Sequence, residues 1–157
     1  DIWADSYTGF FEFDGNSNTF NMNTDKTNTF GADSSNVNVD VTGNSNTFTL
    51  NHATVAQATT LDLDWIINGS SNSITSAIDI DAATNYMDID GSDNTVTYDG
   101  DGYAGGYFWL DHTGSNRTFN IQQQSTQDND WLKIISVGST NSSVCVIQND
   151  QGTSTSC

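Results

Sequence analysis

The chain has 157 residues, enough for one domain, and it carries 20 acidic residues against 3 lysines and arginines, a formal net charge of −17. DNA, RNA and anionic lipid repel such a polyanion, so the charge excludes them as partners. No run approaches the roughly 18 apolar residues of a membrane helix, so no membrane span is predicted. Proline is absent and aromatic residues make up 11 %, which argues against a disordered chain. An acidic, lysine-poor surface suits a salty or extracellular setting.

A six-residue motif recurs along the chain. GNSNTF occurs at 15–20 and at 43–48, and degenerate copies follow as GSSNSI, GSDNTV, GSNRTF and GSTNSS. The copies begin at Gly15, Gly43, Gly69, Gly91, Gly114 and Gly138, at intervals of 28, 26, 22, 23 and 24 residues. A period in the twenties is typical of solenoid proteins.

Strands are predicted on both sides of each glycine, because apolar residues alternate there with Thr, Asn, Asp and Ser. Phe11 and Phe13 precede Gly15, and Phe20 and Met22 follow it. Glycine supplies the positive φ of the turn between the strands. We therefore predict an all-β fold, a β-solenoid of about six two-stranded coils with a period of 22–28 residues, stacked about 4.8 Å apart.

An asparagine follows each glycine by three residues in five of the six copies. In register, these side chains would bond to their copies above and below and cap turn backbone groups; the simpler alternative is that asparagine merely favours turns. The predicted ladder comprises Asn18, Asn46, Asn72, Asn94 and Asn141. Arg117 interrupts the column.

Three regions are predicted along the chain. Residues 1–14 form an aromatic-rich N-terminal strand segment, residues 15–137 the repeat solenoid, and residues 138–157 a degenerate last coil. In that coil Val144 and Val146 are expected to point inward through a bulge. Cys145 and Cys157 either form a disulfide that staples the C-terminal end, which we predict, or remain free thiols.

The Gly-x-x-Asn turn with alternating residues, at a period in the low twenties, resembles the curlin repeat of amyloid-like bacterial fibre subunits. Similar repeats occur in virion proteins of marine phages. The matching positions are Gly15, Asn18, Gly43, Asn46, Gly69, Asn72, Gly91 and Asn94. Where that family has glutamine two residues before the glycine, this chain has Phe13, Val41, Ile67 or Ile89, and only Gln148 suggests a glutamine near a strand end. The resemblance implies a solenoid architecture and fibre assembly.

Catalysis is not predicted. The two histidines are His52 and His112, and His112 falls in an inward column where a hydrogen-bonded packing role is expected. Nucleophile-elbow, zinc-protease and phosphate-loop motifs do not occur. The chain is therefore interpreted as no enzyme, with a polysaccharide-active enzyme as a minor alternative.

Carboxylates recur on the outward face, and adjacent coils would bring like charges together. Asp88, Asp90 and Asp111 are the candidates for weak calcium binding, since a hard cation relieves such repulsion. The alternative is a solvated acidic wall.

Aromatic residues cluster at two places. Trp3, Tyr7, Phe10 and Phe11 lie at the N-terminus and are the predicted assembly interface. A second group is the candidate platform for a glycan or another partner, and it comprises Tyr103, Tyr107 and Trp109.

A solenoid has two open ends with unpaired strand edges, which are either capped or used for assembly. We therefore expect a structural subunit of an extracellular or virion-surface filament, with itself as partner and no cofactor beyond weak calcium. The alternative is a glycan-binding adhesin or fibre domain. Outward threonines leave ice binding as a lesser alternative.

Overall fold

The computed structural model describes residues 6–24, 33–52, 58–102, 106–125, 130–138 and 140–148. Within these ranges the secondary structure is entirely β. The strands are β1 (Thr8–Asp14), β2 (Thr19–Thr24), β3 (Ser35–Thr42), β4 (Thr47–His52), β5 (Ala58–Thr59), β6 (Leu61–Asn68), β7 (Ser73–Ile78), β8 (Ile80–Asp81), β9 (Thr84–Asp90), β10 (Thr95–Gly102), β11 (Tyr107–Thr113), β12 (Thr118–Ser125), β13 (Trp131–Val137) and β14 (Ser143–Gln148). No helix in the described ranges is long and apolar enough to cross a membrane.

Two parallel six-stranded sheets form the body of the molecule. The first sheet has the order β1-β3-β6-β9-β11-β13, and the second has the order β14-β12-β10-β7-β4-β2. A short third sheet pairs β5 with β8. Each repeat contributes one strand to each large sheet, so six coils stack in parallel register. The predicted all-β solenoid is confirmed, and the predicted N-terminal segment supplies β1 of the first coil.

The core lies between the two large sheets, because alternate residues along their strands point inward. In β3 the valines Val37, Val39 and Val41 are buried, while the asparagine and aspartate between them are partly exposed. Like positions of successive coils meet, as Val39 meets Trp65 in β6. Each coil thus buries its inward face against its neighbours, as the period-two pattern predicts.

The glycines that begin the repeated motifs stack in one column, and this column explains why the motif recurs. A Cβ atom added at Gly69 would lie 1.9 Å from the carbonyl oxygen of Gly43, and Gly43 has the same relationship to Gly15. These glycines also have positive φ, +154° at Gly69. Any side chain at Gly43, Gly69, Gly91 or Gly114 would collide with the preceding coil, so these four corners require glycine.

The turn of the last coil contains one extra residue. Gly114 N bonds to Val137 O and Asn116 N bonds to Thr140 O, whereas in the coil before, Asp93 N bonds to Ser115 O, directly after the glycine. As a result Val144 and Val146 pair with Phe119 and Ile121 in the inward columns. The inward placement predicted for these two valines is confirmed.

Candidate assembly interface

The two ends of the solenoid are the candidate functional surfaces, because the four edge strands of the two large sheets have a neighbour on one side alone within the described residues. Among the described residues, β1 pairs with β3 and β2 with β4 at the N-terminal end. At the other end β13 pairs with β11 and β14 with β12. The outer edges of these strands therefore present backbone groups that could pair with another strand.

The N-terminal end is an aromatic rung. Phe11, Phe13 and Phe20 are half-buried and pack on the core, with the ring of Phe20 4.9 Å from Phe11 and 5.0 Å from Phe13. Below them Phe13 meets Phe48 at 5.4 Å, edge to face. Tyr7 packs against the same cluster. The rung leaves one face of its rings without a covering coil in the described ranges.

The four residues predicted as the assembly interface separate in the structure. Tyr7 and Phe11 belong to the end rung. Phe10 points from the outer face of the first sheet and is 65 % exposed, so its ring lies beside the end surface and not on it. Trp3 lies outside the described residues.

The C-terminal end is an aliphatic rung. Leu132 and Ile134 are half-buried in β13, and Val144 and Val146 are exposed in β14. These four stand in the inward columns of the coils below them. Within the described residues, both ends therefore partly expose apolar side chains of the inward columns.

The asparagine column forms a ladder through the backbone. The Oδ1 atom of Asn72 accepts from Asn46 N at 2.9 Å, and its Nδ2 donates to the carbonyl of Gly43 at 3.2 Å. Asn46 makes the same pair of bonds to Asn18 N and to Gly15 O, and Asn94 makes it to Asn72 N and to Gly69 O. Each asparagine thus caps the turn of the preceding coil. The side chain of Asn18 is the open end of this ladder, since no coil of the described chain precedes it.

The prediction for Asn141 is wrong. The extra residue in the last turn moves Asn141 to the left-handed position, with φ 53°, in register with Asn116. Ser142 takes the place in the column, because Ser143 N bonds to Arg117 O as Thr118 N bonds to Asn94 O. The ladder therefore has four asparagines, and it ends at Arg117.

Both histidines lie in the core. His52 is fully buried and its Nδ1 is hydrogen-bonded to the Thr24 hydroxyl. His112 is fully buried, with Nε2 3.1 Å from Gly91 O and Nδ1 3.2 Å from the Ser136 hydroxyl. The packing role expected of His112 is confirmed.

A glutamine pair that the repeat pattern did not predict lies at the loop corner of the last two coils. Gln123 Nε2 donates to Gly106 O at 2.7 Å, and Gln148 Nε2 donates to Gln123 Oε1 at 3.2 Å. Asp130 Oδ1 accepts from Gly106 N at 2.9 Å. The register of β12 with β14 could have revealed this pair, because it makes Gln123 and Gln148 direct partners. It extends the polar stacking to the C-terminal end.

The acidic residues are neighbours but do not form a ligand set. Asp88 and Asp111 pair directly across β9 and β11. Burial first, and then repulsion from Asp90 and Asp111, raises the pKa of Asp88. In the part of the chain that the structure describes, no three His, Cys, Asp or Glu side chains are placed to hold a metal ion. The weak calcium binding predicted at Asp88, Asp90 and Asp111 stays a prediction.

Two of the three residues of the candidate platform, Tyr107 and Trp109, lie on the outer face of the first sheet. Tyr107 is 50 % exposed, and Trp109 is half-buried with Lys133 Nζ 3.6 Å from its ring centroid. Trp131, which the sequence analysis did not include, packs beside Tyr107 at 5.9 Å. Tyr103 lies outside the described residues.

Cys157 also lies outside the described residues, so the Cys145–Cys157 disulfide stays a prediction.

The fold is a β-solenoid whose two ends and one outer face carry its distinctive surfaces. Comparison with protein-family models, with curated proteins and with solved structures gives no match for this chain.

Proposed function

We propose that the protein is a structural subunit of an extracellular or virion-surface filament that grows by stacking solenoid ends. The observation that carries the proposal is that, within the described residues, both ends show apolar inward columns and unpaired edges of parallel strands. A neighbouring copy placed end to end would continue both sheets and bury both rungs. The resemblance of the Gly-x-x-Asn repeat to curlin fibre subunits supports the same function.

The columns define which residues would meet. If the stacking repeats the register within the chain, Phe11 lies on Ile134 of the neighbouring copy and Phe20 lies on its Val144. Aromatic and aliphatic side chains would fill the interface. The contact is heterologous, with different surfaces on the two partners, so it generates an open filament and not a closed dimer.

Negative-stain electron microscopy of the purified chain, at low and at seawater-like salt, is the first test. We expect uniform filaments, more readily at high salt because salt screens the repulsion between copies of net charge −17. Discrete particles at both salts would contradict the proposed function.

Gly15 offers a substitution aimed at the interface. An added Cβ at Gly15 has its nearest neighbour at 3.6 Å, whereas at Gly43 it would lie 1.9 Å from the carbonyl of the coil before. Gly15→Ala should therefore fold, apart from the strain of φ +127°, yet collide with the last coil of an incoming copy. Asn21→Ala, on the exposed outer face of β2, is the control that should still assemble.

A second variant tests whether the N-terminal end of one copy stacks on the C-terminal end of the next. Val146→Asp places a charge on the C-terminal rung and leaves the N-terminal rung intact. Gly15→Ala alone and Val146→Asp alone should each stay monomeric in sedimentation. A mixture of the two variants should form one-to-one dimers, because Gly15→Ala keeps an intact C-terminal end and Val146→Asp keeps an intact N-terminal end. A mixture that stays monomeric, while both variants melt cooperatively, would contradict end-to-end stacking.

A further inference from the structure

Two exposed aromatic rings lie side by side on the outer face of the first sheet. Tyr107 and Trp131 are register partners on β11 and β13, with ring centroids 5.9 Å apart and planes inclined at 41°. They are 50 % and 41 % exposed. On the other side of Tyr107 the register partner is Thr84, whose side chain is exposed. A row of a hydroxyl and two rings therefore crosses three coils.

Trp109 supports this row and does not offer its own face. Its ring packs edge to face with Trp131 at 6.3 Å and with Tyr86 at 5.2 Å. The ammonium of Lys133 lies over the ring of Trp109 at 3.6 Å. Of the three basic residues, Lys26 lies outside the described ranges and Arg117 is buried, so Lys133 is the cation that this surface presents.

Charge decides which partner fits the surface. Asp88 and Asp111 lie on the same face, in a chain of net charge −17. A second copy laid face to face would bring these carboxylates together, and nucleic acid or anionic lipid would be repelled. A neutral ligand that has both apolar faces and hydroxyl groups meets no such penalty. Saccharides have this chemistry, since their C–H faces stack on aromatic rings and their hydroxyls bond to polar side chains.

We propose that Tyr107 and Trp131 form a binding surface for a neutral saccharide, with the Thr84 hydroxyl and the Lys133 ammonium as its hydrogen-bonding partners. Trp109 is a positioning residue, because it holds Trp131 and Lys133 in place. The surface is on the side of the solenoid, so it does not depend on assembly, and it would stay accessible in a stack of copies.

The test uses the full chain and four neutral probes, cellohexaose, laminarihexaose, maltohexaose and mannohexaose, with hexagalacturonate as the anionic probe. Calorimetric titration at millimolar sugar is expected to show binding of at least one neutral probe and no binding of the anionic one. Trp131→Ala and Tyr107→Ala should each weaken that binding about tenfold, as expected for an aromatic residue at the centre of a contact. Phe10→Ala removes an exposed ring from the other end of the same face and should leave the affinity unchanged.

The melting temperature of each variant shows whether it is folded, and Trp131→Phe should retain part of the affinity. Failure of all four neutral probes to bind would overturn the proposal, as would equal affinities of the wild-type chain and both alanine variants. Loss of self-association in Trp131→Ala, without any sugar binding by the wild-type chain, would show that the surface joins copies instead. Filament formation is scored separately, so the two proposals can fail independently.

Discussion

His112 Nε2 lies 3.1 Å from the carbonyl oxygen of Gly91 and takes over the cap that an asparagine provides in the earlier coils. In those coils the asparagine side chain donates to the preceding glycine carbonyl, as Asn94 donates to Gly69. In the fifth coil the column position is Arg117, and the bond to Gly91 comes from the inward strand position instead. A different residue thus makes the bond to the glycine carbonyl at the point where the ladder ends.

Replacing both residues with those of the previous coil should stabilise the protein. Arg117 is 7 % exposed, and its Nε and Nη1 have no hydrogen-bond partner in the described part of the chain, although its guanidinium lies 5.4 Å from the ring centroid of Phe119. His112→Ile with Arg117→Asn reproduces Ile89 and Asn94, removes a buried charge and restores the amide cap. We expect the free energy of unfolding to rise by about 1–3 kcal/mol. Denaturant titration measures it, and a double variant less stable than the wild type would contradict the prediction.

The wild-type protein should lose stability as the pH falls below the ordinary pKa of histidine. Burial and the Arg117 guanidinium lower the pKa of His112, against the opposing effects of the Gly91 bond, Asp90 and Asp111. The unfolded chain therefore takes up a proton near pH 6.5 and the folded chain does so at lower pH, so this contribution is complete above 6.5 and lost below it.

Denaturant titrations between pH 7.5 and 5 measure the effect, with the double variant as control. The raised pKa of Asp88 acts in the opposite direction and is common to both proteins. The difference in unfolding free energy between the two proteins should therefore report the titration of His112, and the stability of the wild type should fall more steeply as the pH is lowered. Parallel curves would show that His112 does not contribute.

The glycine column should be intolerant of a single methyl group inside the stack. Gly69→Ala places Cβ 1.9 Å from Gly43 O, and we expect a loss of at least about 3 kcal/mol. Gly138→Ala is the matched control, because its nearest neighbour is 3.7 Å away and it suffers the strain of φ +77° alone, about 1 kcal/mol. Thermal unfolding followed by circular dichroism compares the two. Equal losses would show that φ strain, and not the collision, requires glycine.

The asparagine ladder should be costly to interrupt. Asn72→Ala leaves Asn46 N and Gly43 O without the bonds they make in the structure, in a buried turn. We expect the unfolding free energy to fall by about 2–4 kcal/mol. The exposed Asn21→Ala should change it by less than about 0.5 kcal/mol. Similar small changes in both would mean that water replaces the ladder bonds.

The repeat pattern was sufficient to predict the fold, because each glycine fixes a corner and period-two alternation fixes the inward face. It failed for Asn141, where one inserted residue shifts the turn and the letters alone do not show which position is left-handed. Trp131 was missed although it stands seven residues before Gly138, as Tyr107 stands seven before Gly114. Columns farther from the glycine would have revealed it. The burial of Asn85 could not be predicted from the sequence. Its side-chain amide is buried without a hydrogen-bond partner among the described residues, at a position where the neighbouring coils have the apolar residues Leu63 and Phe108.

The parallel stacking has a mechanical consequence. Every strand of the two large sheets pairs with strands one coil away, 22 to 28 residues along the chain, so force applied at one end is borne by one coil at a time. Extension should therefore proceed in a series of similar steps, each releasing about one repeat, and the remaining coils should stay folded as a template on which the released chain can rewind.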